Sequence, residues 1–104
     1  MDRVLNDIRA ERARQDAKWG EQNHPDGTGR SGDPLVAEVV KADCDRAARN
    51  GMLTYRHILD EEVAEAFAER DPAKLRAELV QVAAVAVAWI EKIDRDVAVG
   101  GGGL

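Results

Sequence analysis

Hydrophobic residues recur at helical spacing in four stretches of this 104-residue chain, and no stretch shows the alternation typical of a strand. The pattern predicts four helices, over residues 2–18, 34–50, 55–70 and 72–96. The last two are joined by so short a connection that they should form an antiparallel hairpin. We therefore expect one all-α domain over residues 1–96 and a disordered, glycine-rich tail over residues 97–104.

Capping side chains and prolines mark three of the helix starts. Asp33 precedes Pro34 and Asp71 precedes Pro72, so a capping residue is followed each time by proline at the first helical position. Thr54 can cap the third helix.

Apolar residues on one side of each helix indicate which faces are covered. The inner positions predicted for the second and third helices are Val36, Val39, Val40, Ala47, Leu59, Val63, Ala66 and Phe67. Residues 82–90 are apolar all round, which indicates a buried central helix. In so short a chain, we expect that helix to be buried against a second subunit.

Composition excludes several classes of protein. The chain has 15 basic and 20 acidic residues and a net charge of −5, whereas domains that bind duplex nucleic acid are usually strongly basic. The longest apolar run is about half a membrane span, and no signal peptide is visible. The single cysteine, Cys44, allows no intramolecular disulfide and fits a reducing compartment. We expect a soluble, cytoplasmic protein with no membrane partner.

The third helix carries glutamates on one face. At about 100° per residue, Glu61, Glu62, Glu65 and Glu69 fall within about 100° of one another. Like charges at this spacing weaken a helix by about 0.2–0.5 kcal/mol per pair. When this helix is considered alone, a solvated acidic face explains the glutamates equally well.

Glu78 in the fourth helix favours a different explanation. It is aligned with the apolar stripe of that helix, where an ionised carboxylate must be paired, coordinated or protonated. The hairpin should bring Glu78 level with Glu62 and Glu65, and carboxylate oxygens suit Mg²⁺ or Mn²⁺. Such a metal would be a Lewis acid that activates water, and Glu61 or Glu65 could orient or deprotonate that water.

Two segments carry a family resemblance that extends over roughly residues 8–95. The first is Glu61-Glu62-x-x-Glu65 followed by Glu78-x-x-Gln81. The second is Glu11-Arg12-x-x-Gln15-Asp16-x-Lys18-Trp19-Gly20-Glu21-Gln22. Together they resemble the EExxE…ExxD signature and an N-terminal segment of the MazG-like superfamily, the all-α nucleoside triphosphate pyrophosphohydrolases.

The resemblance implies a four-helix MazG-like bundle whose core is completed by dimerisation, as a homodimer or homotetramer. It implies Mg²⁺-dependent hydrolysis of (d)NTPs to (d)NMP and pyrophosphate. By position, the metal ligands are matched by Glu62, Glu65, Glu78 and Gln81, and the supporting glutamate by Glu61. The family has aspartate where this chain has Gln81, and an amide oxygen adds no charge, so metal affinity should fall.

The resemblance implies that aromatic residues near the first helix stack on the nucleotide base. Trp19 and His24 are the candidates here, and Lys18 is a candidate for contacting phosphates. Trp19 is equally well explained as a hydrophobic anchor at a helix end, and His24 as an exposed loop residue. His24 lies in the loop of residues 20–34, whose four glycines and two prolines exclude a helix or a central strand.

Two alternatives to an active enzyme stay open. A degenerate family member would bind a nucleotide or a partner without turnover, because of Gln81. A purely structural oligomerisation module would need Glu78 only for an ion pair.

Overall fold

The protein is built of four α-helices. The computed structural model describes residues 1–102. The helices are α1 (Asp2–Trp19), α2 (Asp33–Arg49), α3 (Tyr55–Ala68) and α4 (Pro72–Gly102). There is no strand in residues 1–102, so the prediction of an all-α chain with four helices is confirmed.

Two of the predicted caps form as expected. The Thr54 hydroxyl accepts a hydrogen bond from the backbone N–H of His57 at 3.3 Å, and the Nδ1 of His57 accepts one from the backbone N–H of Thr54 at 3.1 Å. This reciprocal pair is a capping box that satisfies two otherwise unpaired donors. The Asp71 carboxylate caps α4, since it accepts from the backbone N–H of Lys74 at 2.9 Å.

Asp33 does not cap α2. It is the first residue of the helix, and Gly32 stands at the cap position without a side-chain hydrogen bond. The carboxylate of Asp33 instead accepts from the backbone N–H of Arg30 at 2.9 Å. The predicted cap is wrong here because the side chain bonds backward into the loop.

The last helix is longer than the pattern predicts. α4 ends at Gly102 and not at residue 96, because residues 97–99 (valine, alanine, valine) continue it before the glycines begin. Residues 97–102 of the predicted tail are therefore helical, and Gly103 and Leu104 lie outside the described residues. Despite its length, neither α4 nor any other helix described here has the apolar content of a membrane span.

α4 runs through two compact units. One unit holds residues 27–86, and the other holds residues 1–26 together with the chain from Val87 onward. The buried hydrophobic residues are Cys44, Ala64, Ala66 and Leu75 in the first unit, and Val4 and Val87 in the second. The single domain expected over residues 1–96 stays a prediction.

In the unit of residues 27–86, α2 packs against α3. The two helices run antiparallel. The Glu61 carboxylate of α3 acts on the Cys44 thiol of α2, whereas Asn50, later in α2, shares a groove with His57, earlier in α3. This register decides which residues of α2 reach the glutamates of α3.

Several predicted core positions are exposed in the single chain. Val36, Val39 and Phe67 expose 54%, 53% and 52% of their surface, because α2 turns its Cys44 side and not its Val36 side toward α3. Of residues 82–90 only Val87 is buried. The prediction of a buried central helix is thus wrong for the single chain, and its burial against a second subunit stays a prediction.

Candidate metal centre

Two helices bring three carboxylates together. Glu62 and Glu65 lie on successive turns of α3, and Glu78 lies near the start of α4. One carboxylate oxygen from each of the three residues lies within 4.8 Å of the other two. We call these three residues the glutamate triad. The convergence predicted from the α3–α4 hairpin is present, while metal binding by these residues stays a prediction.

Two oxygens of the triad are buried without a partner. The Oε2 atoms of Glu62 and Glu78 are inaccessible to solvent and accept no hydrogen bond from the described residues. A buried polar atom left unpaired costs about 1–3 kcal/mol, and more when the group is charged. An ionised triad is therefore unfavourable unless a cation or bound protons offset its charge.

The surroundings of Glu62 and Glu65 also disfavour their ionised forms. Burial raises the pKa of Glu62, and the charges of Glu78 and Glu61 raise it further. Burial likewise raises the pKa of Glu65, followed by the charges of Glu62, Glu78 and Glu61. Both pKa shifts mean that the ionised carboxylates are disfavoured by their surroundings.

The donor set fits a hard divalent cation. Mg²⁺ and Mn²⁺ take carboxylate oxygens, and Mg²⁺ commonly keeps several waters and needs few protein ligands. A cation held by the glutamate triad would satisfy the two orphaned oxygens and offset the repulsion between the three charges. The structure thus provides three residues that could hold such an ion.

Glu61 lies beside the triad and faces α2. The Glu61 carboxylate, followed by burial, raises the pKa of the Cys44 thiol to about 11. The ammonium of Lys41, one turn earlier in α2, lies in the field of Glu61 and Glu65. Sequence patterns of single helices do not reveal Lys41 and Cys44 as neighbours of Glu61, because their proximity depends on the α2–α3 register.

Glu69 does not continue the acidic face. α3 ends at Ala68, and Glu69 has the extended backbone of a C-cap residue, with φ −86° and ψ 132°. Its Oε1 accepts from the backbone N–H groups of Arg70 and Asp71, at 3.2 and 3.3 Å. Glu69 therefore stabilises the connection between α3 and α4.

The remaining candidates are Gln81, Lys18, Trp19 and His24. Gln81 is exposed one turn after Glu78, and its role as a ligand stays a prediction. Lys18, Trp19 and His24 belong to the unit that starts at residue 1. The Lys18 ammonium lies 4.7 Å from the centroid of the Trp19 ring. Trp19 exposes 59% of its surface. Their proposed contacts with substrate stay predictions as well.

A groove lies between α2 and α3 in the unit of residues 27–86. Its volume is about 430 Å³, and its lining residues are Val40, Asp43, Arg46, Ala47, Asn50, Arg56, His57 and Asp60. It includes no member of the glutamate triad. The sequence alone does not predict it, because it arises only where the two helices pack.

Comparisons with known proteins do not identify the chain. No protein-family model, no curated protein and no solved structure matches it. The geometry of the glutamate triad is therefore the principal guide to function.

Proposed function

We propose that the protein is a Mg²⁺-dependent nucleotide pyrophosphohydrolase with a MazG-like helical bundle, which hydrolyses (d)NTPs to (d)NMP and pyrophosphate. The observation that carries the proposal is the glutamate triad, with two of its oxygens buried and unpaired. The likeness of Glu61–Glu65 and Glu78–Gln81 to the EExxE…ExxD signature supports the reaction class. An acidic site of this kind attracts a nucleotide only when a cation is bound, so metal and substrate binding should be coupled.

The glutamates have two different tasks in this proposal. Glu62, Glu65 and Glu78 hold the ion, and a bound Mg²⁺ supplies Lewis-acid stabilisation of charge on the phosphate oxygens. Glu61, beside the triad, orients the attacking water or accepts its proton. Gln81 offers a neutral amide oxygen near Glu78, which lowers affinity for the ion relative to a carboxylate.

Exposed apolar surface on α2 and α4 supports assembly with a second copy. Large apolar side chains of α2 and α4 are more than about a third exposed in the single chain: Leu35, Val36, Val39, Leu79, Val80, Ile90 and Ile93. A chain of this length has little core of its own, and oligomerisation is a common way to bury such residues. We propose that the bundle is completed in a homodimer or a dimer of dimers.

Pyrophosphate release tests the enzyme directly. The wild-type protein is incubated with each NTP and dNTP in Mg²⁺ or Mn²⁺, alongside Glu62→Gln and the control Glu38→Gln, which alters an exposed glutamate of α2. We expect turnover that Glu62→Gln lowers at least about a hundredfold and that Glu38→Gln leaves unchanged, because an uncharged amide replaces a ligand. Absence of turnover with every nucleotide contradicts the proposal, and so does turnover insensitive to Glu62→Gln.

Gln81 favours one alternative, a family member that binds nucleotide without turnover. Gln81→Asp distinguishes an active enzyme from such a degenerate member, because it restores the charge that the family signature has at this position. A gain of both Mn²⁺ affinity and activity in Gln81→Asp would indicate a degenerate site. A loss would indicate that the wild-type site is adapted to glutamine, and no Mn²⁺ binding by either protein would favour a structural module.

A further inference from the structure

Basic residues surround the groove between α2 and α3, although the chain as a whole is acidic. Residues 46–59 include Arg46, Arg49 and Arg56 and no aspartate or glutamate, whereas the net charge of the chain is −5. Two of these arginines line the groove, Arg46 from the last turn of α2 and Arg56 from the first turn of α3. This end of the helix pair is therefore suited to attract an anion.

Both arginines of the groove have donors available for a ligand. The Nη1 of Arg46 donates to the Asp43 carboxylate at 2.9 Å, which occupies one of the five N–H donors of a guanidinium. Arg56 is exposed, and its side chain forms no ion pair with any other residue of the described range 1–102. Guanidinium groups bind phosphate oxygens in bidentate pairs. Two of them in one groove therefore favour a phosphate group.

The capping box of α3 fixes a third donor. The Nδ1 of His57 accepts from the backbone N–H of Thr54 at 3.1 Å, so Nδ1 carries no proton and the proton of the neutral ring is on Nε2. His57 lines the groove and belongs to the first turn of a helix, where the backbone carries partial positive charge. The Nε2–H donor and the helix end both favour a negatively charged group of the ligand.

The rest of the groove is acidic or apolar. Asp60 lies one turn after Arg56 on α3, and Val40 and Ala47 of α2 supply an apolar wall. A bare phosphate ion offers nothing to the apolar wall and is repelled by Asp60, whereas a hydroxyl group can donate to that carboxylate. The volume of about 430 Å³ lies within the range of small-molecule sites, about 300–1,000 Å³. The ligand should therefore be larger than phosphate itself and carry hydroxyl groups.

We propose that this groove binds a small phosphate monoester that carries hydroxyl groups, at a site that shares no residue with the glutamate triad. Arg46, Arg56 and the Nε2–H of His57 hold the phosphate, and a hydroxyl of the ligand donates to Asp60. A sugar phosphate and a nucleoside monophosphate both have these groups. The site needs no metal, because its own arginines supply the positive charge, and so it does not depend on the proposed function.

Calorimetric titration in EDTA tests the phosphate contacts with inorganic phosphate, ribose 5-phosphate and AMP as probes. Without a divalent cation the acidic triad should repel all three. We expect ribose 5-phosphate to bind with a Kd of about 1 mM or tighter. Arg56→Gln should weaken this binding at least about tenfold, because it removes a bidentate partner.

Arg49→Gln is the matched control for this titration. It removes the same charge from an exposed residue that lies outside the groove, and it should change the affinity by less than about twofold. Absence of binding of all three probes up to about 10 mM overturns the proposal, and so do equal losses of affinity in Arg56→Gln and Arg49→Gln.

Asp60→Ala tests the hydroxyl contact through a ratio of affinities. We expect the preference for ribose 5-phosphate over inorganic phosphate to fall at least about threefold, because the acceptor of the ligand hydroxyl is lost while a charge that repels both probes disappears. An unchanged preference overturns the assignment of a hydroxylated ligand to this groove.

AMP distinguishes the two sources of such a monoester. Binding about tenfold tighter than that of ribose 5-phosphate would support the proposal with a nucleotide as the ligand, because a base can cover Val40 and Ala47. Similar affinities would support it with a sugar phosphate. Turnover of nucleotides by a protein whose groove binds none of the probes contradicts only this inference, whereas binding in EDTA by a protein without turnover contradicts only the proposed function.

Discussion

Three negative charges share a small volume at the glutamate triad. Glu62, Glu65 and Glu78 are each half-buried. Burial and mutual repulsion raise the pKa of Glu62 and Glu65. The same features that make the triad suitable for a cation therefore reduce the stability of the metal-free protein.

The first residue-scale prediction concerns pH. A carboxyl whose folded-state pKa is raised binds more protons in the folded state, so stability falls as pH rises from the ordinary value of 4.5 through the raised pKa of Glu62 and Glu65. In EDTA, we expect Tm to decrease over this window. At pH values above this window, saturating Mn²⁺ should raise Tm, because the cation stabilises the ionised triad. Scanning calorimetry from pH 4.5 to 8 measures both, and a Mn²⁺ effect independent of pH would contradict the explanation.

The second residue-scale prediction separates stability from function. Glu78→Gln removes one charge of the triad and gives it an amide that can donate to a neighbouring carboxylate. We expect the metal-free variant to be about 1 kcal/mol more stable than wild type, which raises Tm by roughly 4 °C, and to lose most Mn²⁺ affinity. Glu38→Gln is the control and should change neither quantity. A Glu78→Gln variant that is less stable in EDTA would show that Glu78 has a cationic partner.

At the scale of elements, the segment before α2 is hydrogen-bonded to the end of α3 and to the residues that follow it. The backbone N–H of Gly29 donates to the Phe67 carbonyl at 2.7 Å, and the Nε of Arg70 donates to the Gly29 carbonyl at 2.8 Å. The Phe67 carbonyl belongs to the last turn of α3, where carbonyls lack partners within the helix. The loop thereby supplies a cap for the helix that carries two of the triad residues.

Two glycines of this loop allow a matched test of that cap. Gly29 and Gly27 both have positive φ, of 74° and 73°, but a Cβ on Gly29 would lie 2.2 Å from the Arg70 side chain, whereas one on Gly27 would meet nothing within 4 Å. Alanine at either position costs about 1–2 kcal/mol for its backbone conformation. We expect Gly29→Ala to be destabilised by about 1 kcal/mol more than Gly27→Ala, because it also displaces Arg70. Equal losses in urea denaturation would show that the Arg70 contact contributes nothing.

Local chemistry explains which parts of the elements the sequence predicts well. Thr54 and Asp71 cap their helices as expected because a cap depends on residues only three positions away. Glu69 departs from the acidic face because a helical wheel does not show where the helix stops. The sequence pattern predicts that Val39 and Phe67 face the core, yet both are more than half exposed in the single chain. A helical wheel does not show whether an apolar face packs against another helix of the same chain, because that depends on the tertiary packing.

At the scale of the whole molecule, the exposed apolar residues bear on assembly. Val36 and Val39 lie one turn apart on α2 and are each more than half exposed. If a second copy covers this face, a charge placed there should break the assembly, because an unpaired charge in an apolar interface is costly.

The corresponding prediction uses neighbouring positions of α2. We expect Val39→Lys to shift the protein from dimer or tetramer toward monomer, while Glu38→Lys, which introduces the same side chain on a different face of the helix, leaves assembly unchanged. Sedimentation velocity at micromolar concentration measures the species present. A wild-type protein that sediments as a monomer at all concentrations would contradict the proposed assembly, and so would an assembly unaffected by Val39→Lys.

The raised pKa of the Cys44 thiol has a practical use in spectroscopy. Because a thiol with a pKa of about 11 is almost fully protonated at neutral pH, maleimide dyes and spin labels should spare Cys44. A cysteine introduced at an exposed position, such as Ala10 of α1, can then be labelled selectively without removing the native residue. Fluorescence and electron paramagnetic resonance experiments can thus be done on a protein that keeps its native Cys44.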